Sequence, residues 1–198
     1  MSVTAEDIRS AATALQGHII RTPMLAAPML SRQFGCDLFV KLECQQYTSS
    51  FKARGAYIAM QSLNAAQRKA GVIAMSAGNH AQAVAYHADR MGIPAVIVMP
   101  AQTPFAKVAR TRAYGAEVVL EGRNLNECEG TVNTLIDERG LTLIHPYDNA
   151  LVMTGQGTVG LEMLEDEPDL DMLVVPIGGG GLIGGIATIA REMRPNIK

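Results

Sequence analysis

The sequence predicts an α/β protein built on a doubly wound parallel sheet. Two observations carry this. From Gly71 onward, short runs of Val, Ile, Leu, Ala and Met alternate with longer segments of helical period. The short runs also lack the apolar–polar alternation of a strand with one wet face, so both faces should be buried beneath helices, the setting of parallel sheets.

The elements follow in order. Thr4 with Asp7 reads as a helix N-cap with an acidic first turn; Ile8, Ala11, Ala12 and Leu15 then share a face, and Gly17 can end the helix. Residues 72–75 read as a strand, after which Ala81, Val84, Ala85 and Ala88 fall on one helical face up to Gly92. Residues 95–99 form the next strand, Thr103-Pro104 opens a helix ending near Gly115, and residues 117–120 are a third strand. A helix to Arg139, a strand at 141–144 and a helix near 153–165 come next. A strand at 172–177, four glycines and an apolar helix over 182–193 complete the chain.

Composition narrows the function classes. The 198 residues are 48% hydrophobic and 18% charged, enough to bury a core without disulfides or metal. The formal charge of −2 and the absence of any Lys/Arg run argue against a nucleic-acid partner. No stretch is long and apolar enough for a membrane span, and the charged Glu6, Asp7 and Arg9 are unlike a signal peptide, so a cytoplasmic protein is expected. Cys36, Cys44 and Cys128 form no CxxC pair, and the four histidines show no ligand spacing, so no metal site is expected.

Three segments carry chemistry. In Ser50-Phe51-Lys52-Ala53-Arg54-Gly55-Ala56, Lys52 and Arg54 taken alone read as solvated surface charges. Ser76-Ala77-Gly78-Asn79-His80 lies between a strand end and a helix start, where unpaired N–H groups suit a carboxylate or phosphate; an Asn cap in a tight turn is the plainer alternative. Gly178-Gly179-Gly180-Gly181 also joins a strand to a helix. Its missing Cβ atoms admit either an anion or close strand–helix packing. It is neither a Walker A loop nor a GxGxxG fingerprint.

Together, in this order and spacing, the three segments resemble the serine/threonine dehydratases, fold-type II enzymes dependent on pyridoxal 5'-phosphate (PLP). The similarity runs from Thr4 to Lys198 through Ile144-His145-Pro146-Tyr147-Asp148 and Gly155-Gln156-Gly157. It implies that Lys52 carries the cofactor through a Schiff base and serves as catalytic base. It further implies that Phe51 packs beside the cofactor ring, Asn79 addresses its 3'-oxygen, and Gly178, Gly179, Gly180, Gly181 and Leu182 hold its phosphate. Ser76, Ala77, Gly78, Asn79 and His80 would bind the substrate carboxylate. The implied reaction converts L-threonine or L-serine to 2-oxobutanoate or pyruvate and ammonia.

The resemblance also implies two domains: a PLP-binding large domain from residues 1–60 and 150–198, incomplete here, and a small α/β domain from 61–149. Relatives continue well past Lys198, to a Ser or Cys that meets the pyridine nitrogen, and a homo-oligomer is expected at full length. Alternatives of the same lineage are a truncated, non-catalytic PLP-binding fragment, a β-replacement enzyme and a serine racemase. Ala77 favours elimination over racemisation, because racemases carry a serine there. Ser49 departs from the family, which has glycine at that position.

Overall fold

The computed structural model describes residues 3–198. Helix α1 (Ala5–Ala14) starts on a reciprocal cap: the Asp7 N–H donates to the Thr4 hydroxyl at 3.1 Å, and the Thr4 N–H donates to the Asp7 carboxylate at 2.9 Å. The helix closes at Leu15, with Gly17 in the turn beyond it at φ 76°. An antiparallel ribbon of β1 (Met24–Ala26) and β2 (Phe39–Lys41), joined through α2 (Pro28–Phe34), comes next. Two short 3-10 turns, Glu43–Gln45 and Tyr47–Ser49, lead into α3 (Lys52–Gln61) and α4 (Ala65–Ala70).

The predicted alternation then unfolds as β3 (Val72–Met75), α5 (Asn79–Met91), β4 (Ala95–Met99), α6 (Phe105–Arg112), β5 (Glu117–Leu120), α7 (Leu125–Arg139) and β6 (Thr142–Leu143). All pairings in this sheet are parallel, with strand order β5-β4-β3-β6. Burial on both faces holds for the central strands: Val72, Ile73, Ala74, Ile97 and Val98 are wholly inaccessible. The edge strands differ from expectation. Glu117 and Leu120 of β5 and Leu143 of β6 are exposed, because an edge has a neighbour on one side only.

Strands β4 and β5 continue to one side of β3, whereas β6 returns to the other. The chain therefore diverges at the carboxyl ends of β3 and β6, the position at which open α/β sheets form a ligand crevice.

Helices α8 (Ala150–Asp166) and α9 (Gly181–Met193) follow. Helix α8 packs against α1, α3 and α9. The crossing of α8 on α3 is a backbone contact: a Cβ on Gly155 would lie 2.6 Å from the Gly55 Cα and 2.8 Å from the Arg54 carbonyl. Only glycine permits this approach.

The predicted strand at 172–177 does not form. The segment is extended, and Met172, Val174 and Ile177 are exposed, Val174 to 84%. A strand is defined by its ladder, and among the described residues this run finds a partner only at its start. There the Leu173 N–H donates to the Lys198 carbonyl at 2.8 Å and the Lys198 N–H to the Asp171 carbonyl at 3.1 Å.

Candidate active site

The crevice at the β3/β6 divergence brings the three motifs around one stretch of backbone. Lys52 is the first residue of α3, and its N–H donates to the buried Ser50 hydroxyl at 3.2 Å, which sets the entry to the helix. Its Nζ donates to the Pro146 carbonyl at 2.6 Å and lies 5.3 Å from the Phe51 ring centroid. Burial pushes the Lys52 pKa below the ordinary lysine value, so the free amine, the nucleophilic form, is available at lower pH than in water.

Ser76 to Gly78 turn from β3 into α5. The Gly78 N–H donates to the Ser76 hydroxyl at 3.2 Å, and no side chain caps the helix that starts at Asn79. The amides of Asn79 and His80 in the first turn are thus left for an anion, and Asn79 is exposed. His80 points inward and is buried, with Nε2 2.7 Å from the Ile144 carbonyl. A carbonyl can only accept, so Nε2 carries the proton and Nδ1 keeps a free lone pair without a partner. Burial lowers the His80 pKa to about 4, outweighing the Ile144 bond, and the nearby Lys52 and His145 act in the same direction. Its ring is neutral at pH 7.

The glycine loop ends at the N-terminus of α9, again without a side-chain cap, with Gly180 left-handed at φ 91°. A Cβ placed on Gly178 or Gly180 would meet nothing within 4 Å, so that side of the loop is open; one on Gly179 would run into the Tyr147 ring. Unobstructed loop positions at Gly178 and Gly180, bare helix N–H groups and a desolvated lysine amine fit a ligand with an anionic group and an electrophilic carbon.

Arg54 is the main departure from the plainest sequence reading. Instead of a surface charge it is wholly buried. Its Nε and Nη2 donate to Glu43 at 2.9 and 2.7 Å, Nη1 and Nη2 to Glu162 at 2.6 and 2.8 Å, and Nη1 also to the Thr158 hydroxyl at 3.1 Å. Burial opposes the charge, but the hydrogen bonds to Glu162 and Glu43 outweigh it and hold the pKa above the ordinary guanidinium value. Sequence reading also missed the Pro146 carbonyl and Tyr147. A backbone acceptor leaves no residue signature, and Tyr147 was legible only as part of the 144–148 stretch.

Among the described residues no group of three or more His, Cys, Asp or Glu converges as a metal site would require, and no helix is long and apolar enough to cross a membrane.

Comparison with known proteins bears on the same site. Residues 15–198 match the family model described as pyridoxal-phosphate dependent enzyme. The L-threonine ammonia-lyase of Thermotoga maritima is 43% identical over 196 residues, which are 99% of this chain and 49% of that protein. The chain thus spans about half the length of this curated relative. Among solved structures, maize serine racemase superposes with TM-score 0.96 at 37% identity, covering all of this chain and 60% of that one. The processed form of threonine deaminase isoform 2 from Solanum lycopersicum gives TM-score 0.90 at 36% identity, covering 100% of this chain and 56% of that one. The fold is the fold-type II architecture expected from the motifs. Because the match to the family model extends over residues 15–198, nearly the whole of this chain, the chain belongs to the pyridoxal-phosphate-dependent enzymes.

Proposed function

We propose that this chain forms the cofactor-bearing part of an ammonia-lyase that dehydrates L-threonine or L-serine to a 2-oxo acid and ammonia. The carrying observation is the Lys52 amine: desolvated and held 2.6 Å from the Pro146 carbonyl, on the same 144–146 segment whose Ile144 carbonyl is met by His80 of the uncapped turn at Ser76–His80. The names of the Thermotoga maritima relative and of the Solanum lycopersicum structure support this choice of reaction.

Each residue then has a task. Lys52 Nζ would hold the cofactor covalently until the substrate amine displaces it, and the freed neutral amine would then take the α-proton of the substrate. The amides of Gly178 to Leu182 hold the phosphate through the positive end of α9. Within the Ser76–His80 loop the amides of Ala77, Asn79 and His80 hold the substrate carboxylate at the start of α5, since those of Ser76 and Gly78 donate to the Val98 carbonyl and the Ser76 hydroxyl. Asn79 orients the 3'-oxygen, and Phe51 packs along the ring. Bound PLP supplies an electron sink for the α-carbon. Residues 1–60 and 150–198 act as the cofactor domain, and 61–149 as a smaller domain that closes over substrate. A cytoplasmic homo-oligomer of the full-length form belongs to the same reading.

A second reading, serine racemisation, is favoured by the superposition on maize serine racemase. The local chemistry speaks for elimination: Ala77 has no group that can return a proton to the opposite face of the α-carbon. The test is absorbance of the chain with added PLP beside Lys52→Ala, followed by assay of 2-oxo acid and of D-serine. A Lys52-dependent visible band with 2-oxobutanoate release supports the dehydratase. D-serine in its place supports racemisation, a band without product supports a fragment that only binds cofactor, and no band overturns the proposal.

A further inference from the structure

The segment Ile144–Tyr147 touches all three motifs at once. The Ile144 carbonyl accepts from His80, the Pro146 carbonyl accepts from Lys52, and Tyr147 lies against the glycine loop. It leaves the sheet at the carboxyl end of β6, where the chain direction diverges from β3. We propose that this segment is a fourth element of the cofactor site and that the Tyr147 ring forms a wall of the glycine cradle in contact with the bound cofactor. This rests on the reading in which Lys52 and the glycine loop hold the two ends of PLP.

Contact geometry leads to that role. A Cβ on Gly179 would collide with the Tyr147 ring, and one on Gly181 would lie 3.0–3.1 Å from the Tyr147 backbone, so the residue packs flush along the loop. The flanking positions Gly178 and Gly180 are open, so an anion can approach the amides on either side of the Gly179 contact. Tyr147 is also fixed in place by its own turn. His145 Nδ1 accepts from the Tyr147 N–H at 3.3 Å and the Asp148 N–H at 2.8 Å, and the His145 and Tyr147 rings meet edge to face at 4.7 Å.

One residue upstream, the Pro146 carbonyl holds the Lys52 amine. A ligand attached to Lys52 and anchored in the cradle has both its ends beside Pro146–Tyr147, because Lys52 Nζ meets the one residue and the glycine loop the other. The side chain beside that span is a flat aromatic ring, 40% exposed. Such a surface suits a planar heteroaromatic ring, which gains from offset or edge contacts with another aromatic ring. Phe51 serves the amine end of the ligand, and Tyr147 the anionic end.

The test is a PLP titration of the 198-residue chain and of Tyr147→Phe, Tyr147→Leu, Tyr147→Ala and Lys52→Ala, read by absorbance and by emission. The chain contains no Trp and five Tyr, so quenching of tyrosine emission reports ligand close to these rings without any turnover. Tyr147→Phe should bind within about twofold of the parent and Tyr147→Ala roughly tenfold more weakly. Both should reach the full Lys52-dependent band at saturation. Tyr147→Leu keeps bulk against Gly179 while removing the aromatic face. If it binds like the parent, Tyr147 is packing only and the inference is overturned, as it is if Tyr147→Ala leaves both affinity and quenching unchanged. Absence of a Lys52-dependent band in the parent would instead strike the proposed function, and this inference with it.

Discussion

Arg54 and Glu162 form a two-pronged ion pair, 2.6 and 2.8 Å, that ties the first turn of α3 to the C-terminal part of α8 with the guanidinium wholly shielded from solvent. Glu43 takes the remaining face of the same guanidinium, and Lys41 Nζ lies 2.7 Å from Glu162, so the ribbon strand β2 and the turn after it are drawn into the cluster. Lys52 precedes Arg54 by two residues on the same helix. The network therefore fixes the depth and rotation of the helix end that carries the reactive amine.

Removing the guanidinium should be costly. In Arg54→Met, Glu43 and Glu162 face one another with Lys41 as the remaining buried cation, and breaking a buried pair by removing one partner costs about 3–5 kcal/mol. Urea unfolding should show a loss of that order. Adding Glu43→Gln and Glu162→Gln should recover much of it, because the stranded charges go. A loss under about 1 kcal/mol in Arg54→Met would show that the network contributes little.

Ser49 should be improved by glycine. Thr48 and Ser49 both have positive φ, 61° and 55°, in the turn immediately before the lysine segment. For a residue with Cβ the left-handed region costs roughly 1–2 kcal/mol. Ser49→Gly should raise the melting temperature by about 2–4 °C per kcal/mol relieved in a chain of this size. A fall in the melting temperature would mean that the flexibility added to the unfolded chain outweighs the relief.

What could be read from sequence follows a physical line. Strands β3 and β4 were legible because both faces meet side chains of their own neighbourhood, leaving an unbroken apolar run. Helix α5 was legible from its periodicity and from Gly92, which ends it. Strands β1 and β2, three residues each, are too short to show a period. The 172–177 run had the composition of a strand, but composition cannot supply a partner. Burial of Arg54 depends on acids 11 and 108 positions away, pairings that no local window contains. The one local hint was its setting in α3, among Ala53, Gly55, Ala56 and Ile58.

The α3–α8 crossing leaves no room for a side chain. In Gly155→Ala the new methyl would press on the Gly55 Cα and the Arg54 carbonyl, both main chain and unable to rotate away. The helices must separate, and overpacking of this kind costs typically about 1–3 kcal/mol. Displacing α3 also moves Lys52, so PLP affinity should weaken together with stability. Gly130→Ala, on an open face of α7, is the control, since its Cβ would meet nothing within 4 Å and Ala favours the helix. Equal behaviour of the two variants would show that the crossing is looser than the contacts imply.

Acid should destabilise the fold before most carboxylates titrate. Burial pushes the pKa of both His80 and His87 down to about 4, from 6.5 in the open chain. Between these values the unfolded chain binds protons that the folded chain refuses, so stability rises with pH across the window and is lost as pH falls from about 6.5 toward 4. Each histidine can contribute up to about 3 kcal/mol, at 1.36 kcal/mol per pKa unit. For His80 the opposing groups are Lys52 and His145; for His87 they are Arg90 and His18. The urea midpoint should therefore drop between pH 7 and pH 5. His87→Phe keeps a ring between Tyr57 and Tyr86, which the histidine meets edge-on at 5.3 and 4.9 Å, and removes one titrating group. That variant should show a markedly shallower dependence over the same interval. If its slope matches the parent's, His87 is not one of the groups that make the fold acid-sensitive.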